Sequence, residues 1–277
     1  MSCPFKLNLS FARIQEIRFA HALCDAGVCL SFSEGDEPIF RFLQTYFQFP
    51  MKVGENAVPL KDVEVCHRTP QTRIGNSQRP LIFPHAILDR CRRMWVNERS
   101  ERFVFVGLLT ESRQEEIERW CAEAWPREWE KVSRRNRLFR NLSRMLGRLR
   151  FGMGTNHQYR VGDLLVTAST RGRIFPIKAW DENYYRLMSR SQFVLCPNGD
   201  FVWTYRFFEA AMCGAIPIVQ EPAPIYDGFR FAQMNSSAST LVWSRADAEH
   251  NYNLCRERIL VSHDELRNEV ARQIDNL

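Results

Sequence analysis

No apolar run in the chain approaches the roughly 20 residues that would span a bilayer. The opening residues, MSCPFKLNLSF, lack the long apolar centre of a secretory signal, so a cytoplasmic location is expected. No C-x-x-C pair occurs. The nine cysteines, at 3, 24, 29, 66, 91, 121, 196, 213 and 255, are scattered and odd in number, a pattern that gives neither a zinc site nor a disulfide framework and fits a reducing compartment. There is no D-x-D triplet, the short acidic pattern that would offer ligands to a divalent metal. Internal repeats and low-complexity tracts are also missing, which excludes solenoids and arrays. Charge of one sign is scarce as well: 38 basic against 32 acidic residues give a net charge of +6. That favours an anionic ligand but falls short of a dedicated nucleic-acid protein.

What the chain does have is apolar content, 45% of its 277 residues, enough for a sizeable core in one or two domains. Its most informative stretch is 191–220, SQFVLCPNGDFVWTYRFFEAAMCGAIPIVQ. Residues 192–196 form a short apolar run closed by Pro197-Asn198-Gly199-Asp200, as in a buried strand ending in a turn. The spacing is helical over 203–213, Gly214 stands where the helix stops, and 215–219 is apolar and extended. Two buried strands joined by a helix make a βαβ unit, so the expected fold is α/β with a parallel sheet. Such sheets bind ligands beyond the carboxyl ends of their strands, where helix N-termini offer N–H groups and a positive dipole end. Asn198, Gly199 and Thr204 belong at that edge. Arg206, one turn into the helix, suits a diphosphate; Glu209, on the same face, suits two ribose hydroxyls. A surface Arg–Glu pair is the plainer alternative.

At these residues the sequence resembles the exostosin family of glycosyltransferases. The family pattern is matched by Tyr184 or Tyr185, Leu187, Ser191, Leu195, Pro197, Gly199, Thr204, Arg206, Glu209, Ala210, Gly214, Ile216, Pro217 and Val219, with Thr204 for the usual Ser and Ala215 for the usual Cys. The resemblance covers residues 180–219. It implies two Rossmann-like lobes facing a cleft (the GT-B arrangement), and transfer of a sugar from a nucleotide sugar, a UDP-sugar first, to a saccharide hydroxyl with inversion. It also implies that Arg206, helix N-termini and Arg113 or Arg173 meet the diphosphate charge, with no obligatory metal or other cofactor and no nucleic-acid partner.

The expected lobes are 1–97, on the acceptor side, and 98–277, on the donor side. In the first, residues 5–10 read as a strand, Ser10 as the cap of a helix over 11–26 ended by Gly27, then a strand over 28–32 and a helix over 38–47. Strands at 61–66 and 81–83 complete a reduced sheet. Inversion needs a base for the acceptor hydroxyl, and Glu34, Asp36 and His67, each just past a strand end, are the candidates. A solvated acidic turn and a polar loop histidine are the alternatives.

In the second lobe a strand over 102–106 ends at Gly107. Ser112 and Glu115 suggest a capping box for a helix reaching 124, with Arg113 at its start. Residues 131–150 contain no acid and place Leu138, Leu142, Met145 and Leu149 beside a row of arginines. This is an amphipathic basic helix, suited to packing with a solvated face or to peripheral contact with a membrane or polyanion. A strand over 163–168 leads to 167–173, which is expected to line the base pocket. A small strand at 241–243 and helices over 246–260 and 263–276 follow, the last crossing back to the first lobe. Two rivals stay open. One is a metal-dependent transferase of the other common fold, GT-A, using Glu34-Gly35-Asp36; the other is a non-enzymatic polyanion binder using the basic helix.

Overall fold

The computed structural model describes residues 4–133, 156–169 and 173–275. The chain divides into two compact units. One takes Met1–Arg93, Arg173–Glu182 and Asn253–Leu277, the other Met94–Gly172 and Asn183–Tyr252. Each holds a largely parallel sheet with helices in its crossovers, so the fold is α/β as expected, with Rossmann-like units. Among the described residues no helix is long and apolar enough to cross a membrane.

The first unit has a four-stranded parallel sheet, in the order β3 (Met51–Val53), β2 (Leu30–Phe32), β1 (Phe5–Leu7), β4 (Val58–Leu60). This is smaller than the six-stranded sheet of the second unit, so the first is the reduced one. Helix α1 (Ile14–Asp25) links β1 to β2, and α2 (Glu37–Phe47) follows β2. Helix α1 starts later than Ser10 would suggest. Phe11 adopts a left-handed φ of 51° and is buried edge-on against Phe32 and Phe40. Core burial of this ring thus takes the place of the first helical turn, and the Ser10 hydroxyl donates to Glu16 instead. Gly27 does end the helix: at φ +85° its N–H donates to the Cys24 carbonyl.

An antiparallel meander, β5 (Val63–Cys66), β6 (Gln71–Ile74) and β7 (Ser77–Arg79), precedes α3 (His85–Arg93). Residues 81–83 are buried but unpaired. The N–H of Phe83 donates to the Ile259 carbonyl, so the apolar run is a buried connection rather than a strand. The C-terminal helix α8 (His263–Asp275) packs on the meander: Gln273 Oε1 accepts from the N–H groups of Lys61 and Asp62, and Glu269 from that of Asn76. The two edge strands, β3 and β4, consecutive in sequence, are each too short for periodicity to reveal.

The second unit's sheet runs β13 (Ala232–Gln233), β12 (Ile216–Val219), β11 (Ser191–Cys196), β8 (Glu101–Leu108), β10 (Leu164–Ser169), β9 (Asn156–Val161). All pairings are parallel except that of β9 with β10. Helices α4 (Glu111–Ala124), α5 (Glu182–Ser189), α6 (Tyr205–Met212) and α7 (Arg245–Ile259) lie between and after the strands. Both alternating sets of β8, Phe103 with Phe105 and Val104 with Val106, are buried, as expected of a sheet covered on both faces. Phe103 stacks on Phe193 of β11 at 5.3 Å and meets Trp120 of α4 edge-on at 5.1 Å. The βαβ unit of β11, α6 and β12 forms as the sequence indicates, and Gly214 takes φ +74° at the end of α6.

Three expectations here are corrected. The cap of α4 is Thr110, whose hydroxyl accepts from the Arg113 N–H, so Ser112 already lies inside the helix. Residues 241–243 follow a 3₁₀ turn, Ala238–Thr240, and pair with no strand; Trp243 instead donates its indole N–H to the Gly214 carbonyl. The basic stretch 131–150 is helical as far as 133, and the rest of it lies outside the described residues, as do 170–172 of the segment expected to line a base pocket.

At the amino edge of the sheet, Arg99 donates to the carbonyls of Ser191 (2.6 Å) and Cys213 (3.1 Å), with its guanidinium 4.9 Å from the Trp243 ring. Burial brings its pKa down to about 10.

Candidate functional site

Numbering the five parallel strands of the second unit in chain order gives 2-1-3-4-5, so the order reverses between β8 and β11. At such a switch point the segments leaving the two strands diverge, one to each face, and leave a crevice at the carboxyl edge. Gly107 is the last residue but one of β8, and Arg113 lies in the first turn of α4 that follows. Asn198 and Gly199 leave β11, and Thr204 and Arg206 open α6. The fold therefore gathers Gly107, Arg113, Asn198, Gly199, Thr204, Arg206 and Glu209 in one unit at one edge.

The two arginines cross. Arg206, only 5% exposed, leaves the helix after β11 and donates Nε to the carbonyl of Val106 near the end of β8 (2.8 Å). Its guanidinium lies 4.5 Å from the centre of the Phe105 ring. Arg113 leaves the helix after β8 and reaches back to the turn after β11, donating Nε to Asn198 O (3.0 Å) and Nη1 to Leu108 O (3.2 Å). Each guanidinium lies against a glycine. A Cβ on Gly107, whose φ is +128°, would stand 2.7 Å from Arg206 Nη2, and one on Gly199 would stand 2.3 Å from Arg113 Nη2. A side chain at either position would push a guanidinium out of place.

Among the described residues, the hydrogen bonds of both arginines go to main-chain carbonyls, which carry no net charge. Arg206 Nη1 is buried with no hydrogen-bond partner among the described residues. Burial first, and then the nearby charge of Arg206, bring the pKa of Arg113 down to about 10, with Asp200 acting in the opposite direction. A buried cation beside a half-buried one is costly unless an anion joins them, and the unpaired buried donor of Arg206 is the group that such an anion would meet.

The supporting residues fix this geometry. Thr204 caps α6, its hydroxyl accepting from the Arg206 N–H, while its own N–H donates to the Tyr226 phenol at 2.7 Å. The hydroxyl of Thr204 is thus spent on holding Arg206. Asn198 ties the turn to the end of the next strand, its side-chain amide donating to Glu221 (2.6 Å). Burial first, with Glu209 adding to it, pushes the Cys196 thiol up to about 12, so it stays protonated and is no nucleophile.

Glu209 departs from both sequence readings. It is fully buried, so it is not half of a surface ion pair. Its carboxylate is also closed off: Tyr184 donates to Oε2 at 2.6 Å and Tyr185 to Oε1 at 2.9 Å, both from α5. A ribose meets this carboxylate only where a phenol gives way. The two tyrosines stood in the family pattern, but nothing in their spacing from Glu209, about 25 residues, shows that they converge on it. Arg173 belongs to the other unit, where it donates to the Lys178 carbonyl, and the structure does not bring it to this edge within the second unit.

The candidate bases also belong to the first unit, past the carboxyl ends of its strands. Glu34 is exposed in the turn after β2. Asp36 heads α2, with its Oδ2 accepting from the Ser33 hydroxyl at 2.5 Å. His67 follows β5, and its Nδ1 lies 3.2 Å from Gln15 Oε1 in the first turn of α1. The Gln15 amide is oriented by its NH₂, which donates to Cys66 O and Thr72 Oγ1, both at 3.1 Å. Its oxygen can only accept, so His67 Nδ1 is the donor in this contact. Sequence spacing holds no sign of this partner, which lies 52 positions away.

No family model matches the chain, and no curated protein matches it. Solved structures that are similar to it include two. One, HepE of Anabaena in complex with UDP-glucose, is 11% identical at a TM-score of 0.36, covering 70% of this chain and 53% of that one. The other, the GtfA/B complex, is 9% identical at a TM-score of 0.32, covering 93% of this chain and 47% of that one. The chain thus spans about half the length of each. A likeness this slight adds nothing to what the sheets themselves display.

Proposed function

We propose that the second unit binds the diphosphate of a nucleotide sugar, a UDP-sugar first, and that the protein is a glycosyltransferase of the GT-B, exostosin-like kind. A saccharide hydroxyl is the acceptor and the sugar carbon is inverted. One observation carries this: Arg113, half-buried, and Arg206, buried, cross at the β8/β11 switch point, hydrogen-bonded only to neutral carbonyls among the described residues, with Arg206 Nη1 unpaired. A diphosphate supplies the missing charge and can accept from both guanidinia, while the N-termini of α4 and α6 add dipoles of the same sign.

In the transition state the departing diphosphate gains negative charge. The same guanidinia stabilise it more than they do the ground state, which is how an electrostatic site lowers a barrier. They would serve in place of a divalent cation, so no metal is obligatory in this proposal. Of the candidate bases for the acceptor's proton, His67, whose ring is oriented by Gln15, is preferred over the exposed Glu34 and over Asp36, which Ser33 engages.

The test is a thermal-shift panel of nucleoside diphosphates, nucleotide sugars and plain nucleosides, each with and without a chelator. A ligand at 100 times its Kd stabilises the folded state by about 2.7 kcal/mol. UDP and UDP-sugars should raise the melting temperature, uridine should not, and chelation should not matter. A panel in which no diphosphate stabilises the protein refutes the proposal. Stabilisation that disappears with chelator refutes its metal-independent form.

A further inference from the structure

The contact between Tyr184 and Glu209 has a consequence for selectivity if the nucleotide sugar proposed above also places its ribose at this edge. Glu209 is a fully buried carboxylate whose two oxygens each receive a phenol from consecutive residues of one helix, and the two phenols are not equivalent. Tyr185 is 1% exposed and locked in the core. Its main-chain carbonyl accepts from the Cys213 thiol, and its ring is met edge-on by that of Tyr184 at 5.2 Å. Tyr184 is only half-buried. It is near enough to Arg113 for the two to interact electrostatically. Of the two tyrosines, Tyr184 is the one in partial contact with solvent.

We infer that Tyr184 is an internal competitor for Glu209: its phenol holds the position that a ribose hydroxyl would take, and donor binding displaces it. The exchange conserves hydrogen bonds at the carboxylate, one O–H leaving Oε2 as another arrives, so the buried charge is never left bare. What opposes it is the turning of a single aromatic side chain with few rotatable bonds. Observed affinity is therefore reduced by the fraction of molecules in which the phenol is turned away. A ligand with a vicinal diol can replace the phenol and still bridge to its neighbour; a 2′-deoxy ligand replaces it less well. Tyr184 thus sets both the affinity of the site and its preference for ribose.

The test is Tyr184→Phe, which removes the hydroxyl and keeps the ring, titrated with UDP and 2′-deoxy-UDP beside the wild type. The variant should melt lower without ligand, because Oε2 loses its donor, and should bind UDP on the order of 3- to 10-fold more tightly, the worth of one hydrogen bond no longer surrendered. Its gain for 2′-deoxy-UDP should be smaller, so the preference for ribose widens. Equal or weaker UDP binding by Tyr184→Phe overturns the inference: equality makes Tyr184 a structural prop, and weakening makes its phenol a direct contact that stays in place. Equal gains for both ligands overturn it too, since then no hydroxyl takes the phenol's place. A wild type that binds no UDP refutes the donor reading itself, and so is told apart from these outcomes.

Discussion

Replacing Arg206 by Met should move binding and stability in opposite directions. The side chain's structural contacts are modest: one hydrogen bond from Nε to Val106 O, worth about 1 kcal/mol, and a cation–π contact with Phe105, worth about 0.5–2 kcal/mol. Against these stands the penalty of holding a guanidinium that is 5% exposed, with Nη1 unpaired and a second guanidinium nearby. The effective cost of such a buried ion is several kcal/mol. A Met of similar reach fills the space without the charge, so the folded state should be unchanged or more stable by about 1 kcal/mol. UDP binding, in contrast, loses a charge-assisted phosphate contact of about 1.5–3 kcal/mol, or about 10- to 150-fold in Kd. Arg206→Lys should recover part of that loss, because a point charge cannot reproduce a two-pronged contact. Calorimetric unfolding and isothermal titration on the three proteins decide the matter. If Arg206→Met melts several degrees lower and binds UDP as well as the wild type, the guanidinium is only a clasp between two strand ends and the anion-site argument fails.

The other predictions act at separate points. Gly199→Ala places a methyl where Arg113 Nη2 now lies while leaving the backbone unstrained, so the fold should survive and UDP affinity should fall about 10-fold, by titration. Unchanged affinity would remove Arg113 from the site. Arg99→Met leaves the buried carbonyls of Ser191 and Cys213 without donors at the opposite edge of the sheet, and should cost about 2–4 kcal/mol in denaturant unfolding with UDP affinity intact. Loss of affinity in a folded Arg99→Met protein would show that the two edges are coupled. His21 is buried between Phe47 and Phe49, and burial, reinforced by Arg18, holds its pKa well below 6.5. The unfolded chain therefore binds this proton first: stability is complete above about pH 6.5 and falls below it, by at most about 1.4 kcal/mol per pH unit, down to the folded pKa. His21→Phe should flatten that slope between pH 6.5 and 5; an identical slope in both proteins would clear His21 of the effect.

The sequence by itself determined the local structure of the second unit's central stretch almost to the residue. The run from Ser191 to Val219 carries its own strand, turn, cap, helix and stop, all local, and local signals survive without tertiary context. It also showed that Arg206 and Gly199 belong at a strand's carboxyl edge, because a βαβ unit has one possible polarity. What it left open were matters of long range. The three-residue strands β3 and β4 are too short for periodicity, and pairing with β2 and β1 makes them strands. Residues 81–83 and 241–243 have the apolar content of strands but no partner, and only the partner decides. The left-handed turn at Phe11 follows from rings at 32 and 40. Above all, the crossing of Arg113 and Arg206 depends on β8 and β11 being neighbours, a pairing that spans some 90 residues. The burial of Glu209 beneath Tyr184 and Tyr185 depends on how α5 lies against α6. Sequence spacing sets which side chains share a helix face; only the packed sheet decides which faces meet, and here that decides which charges are left unanswered.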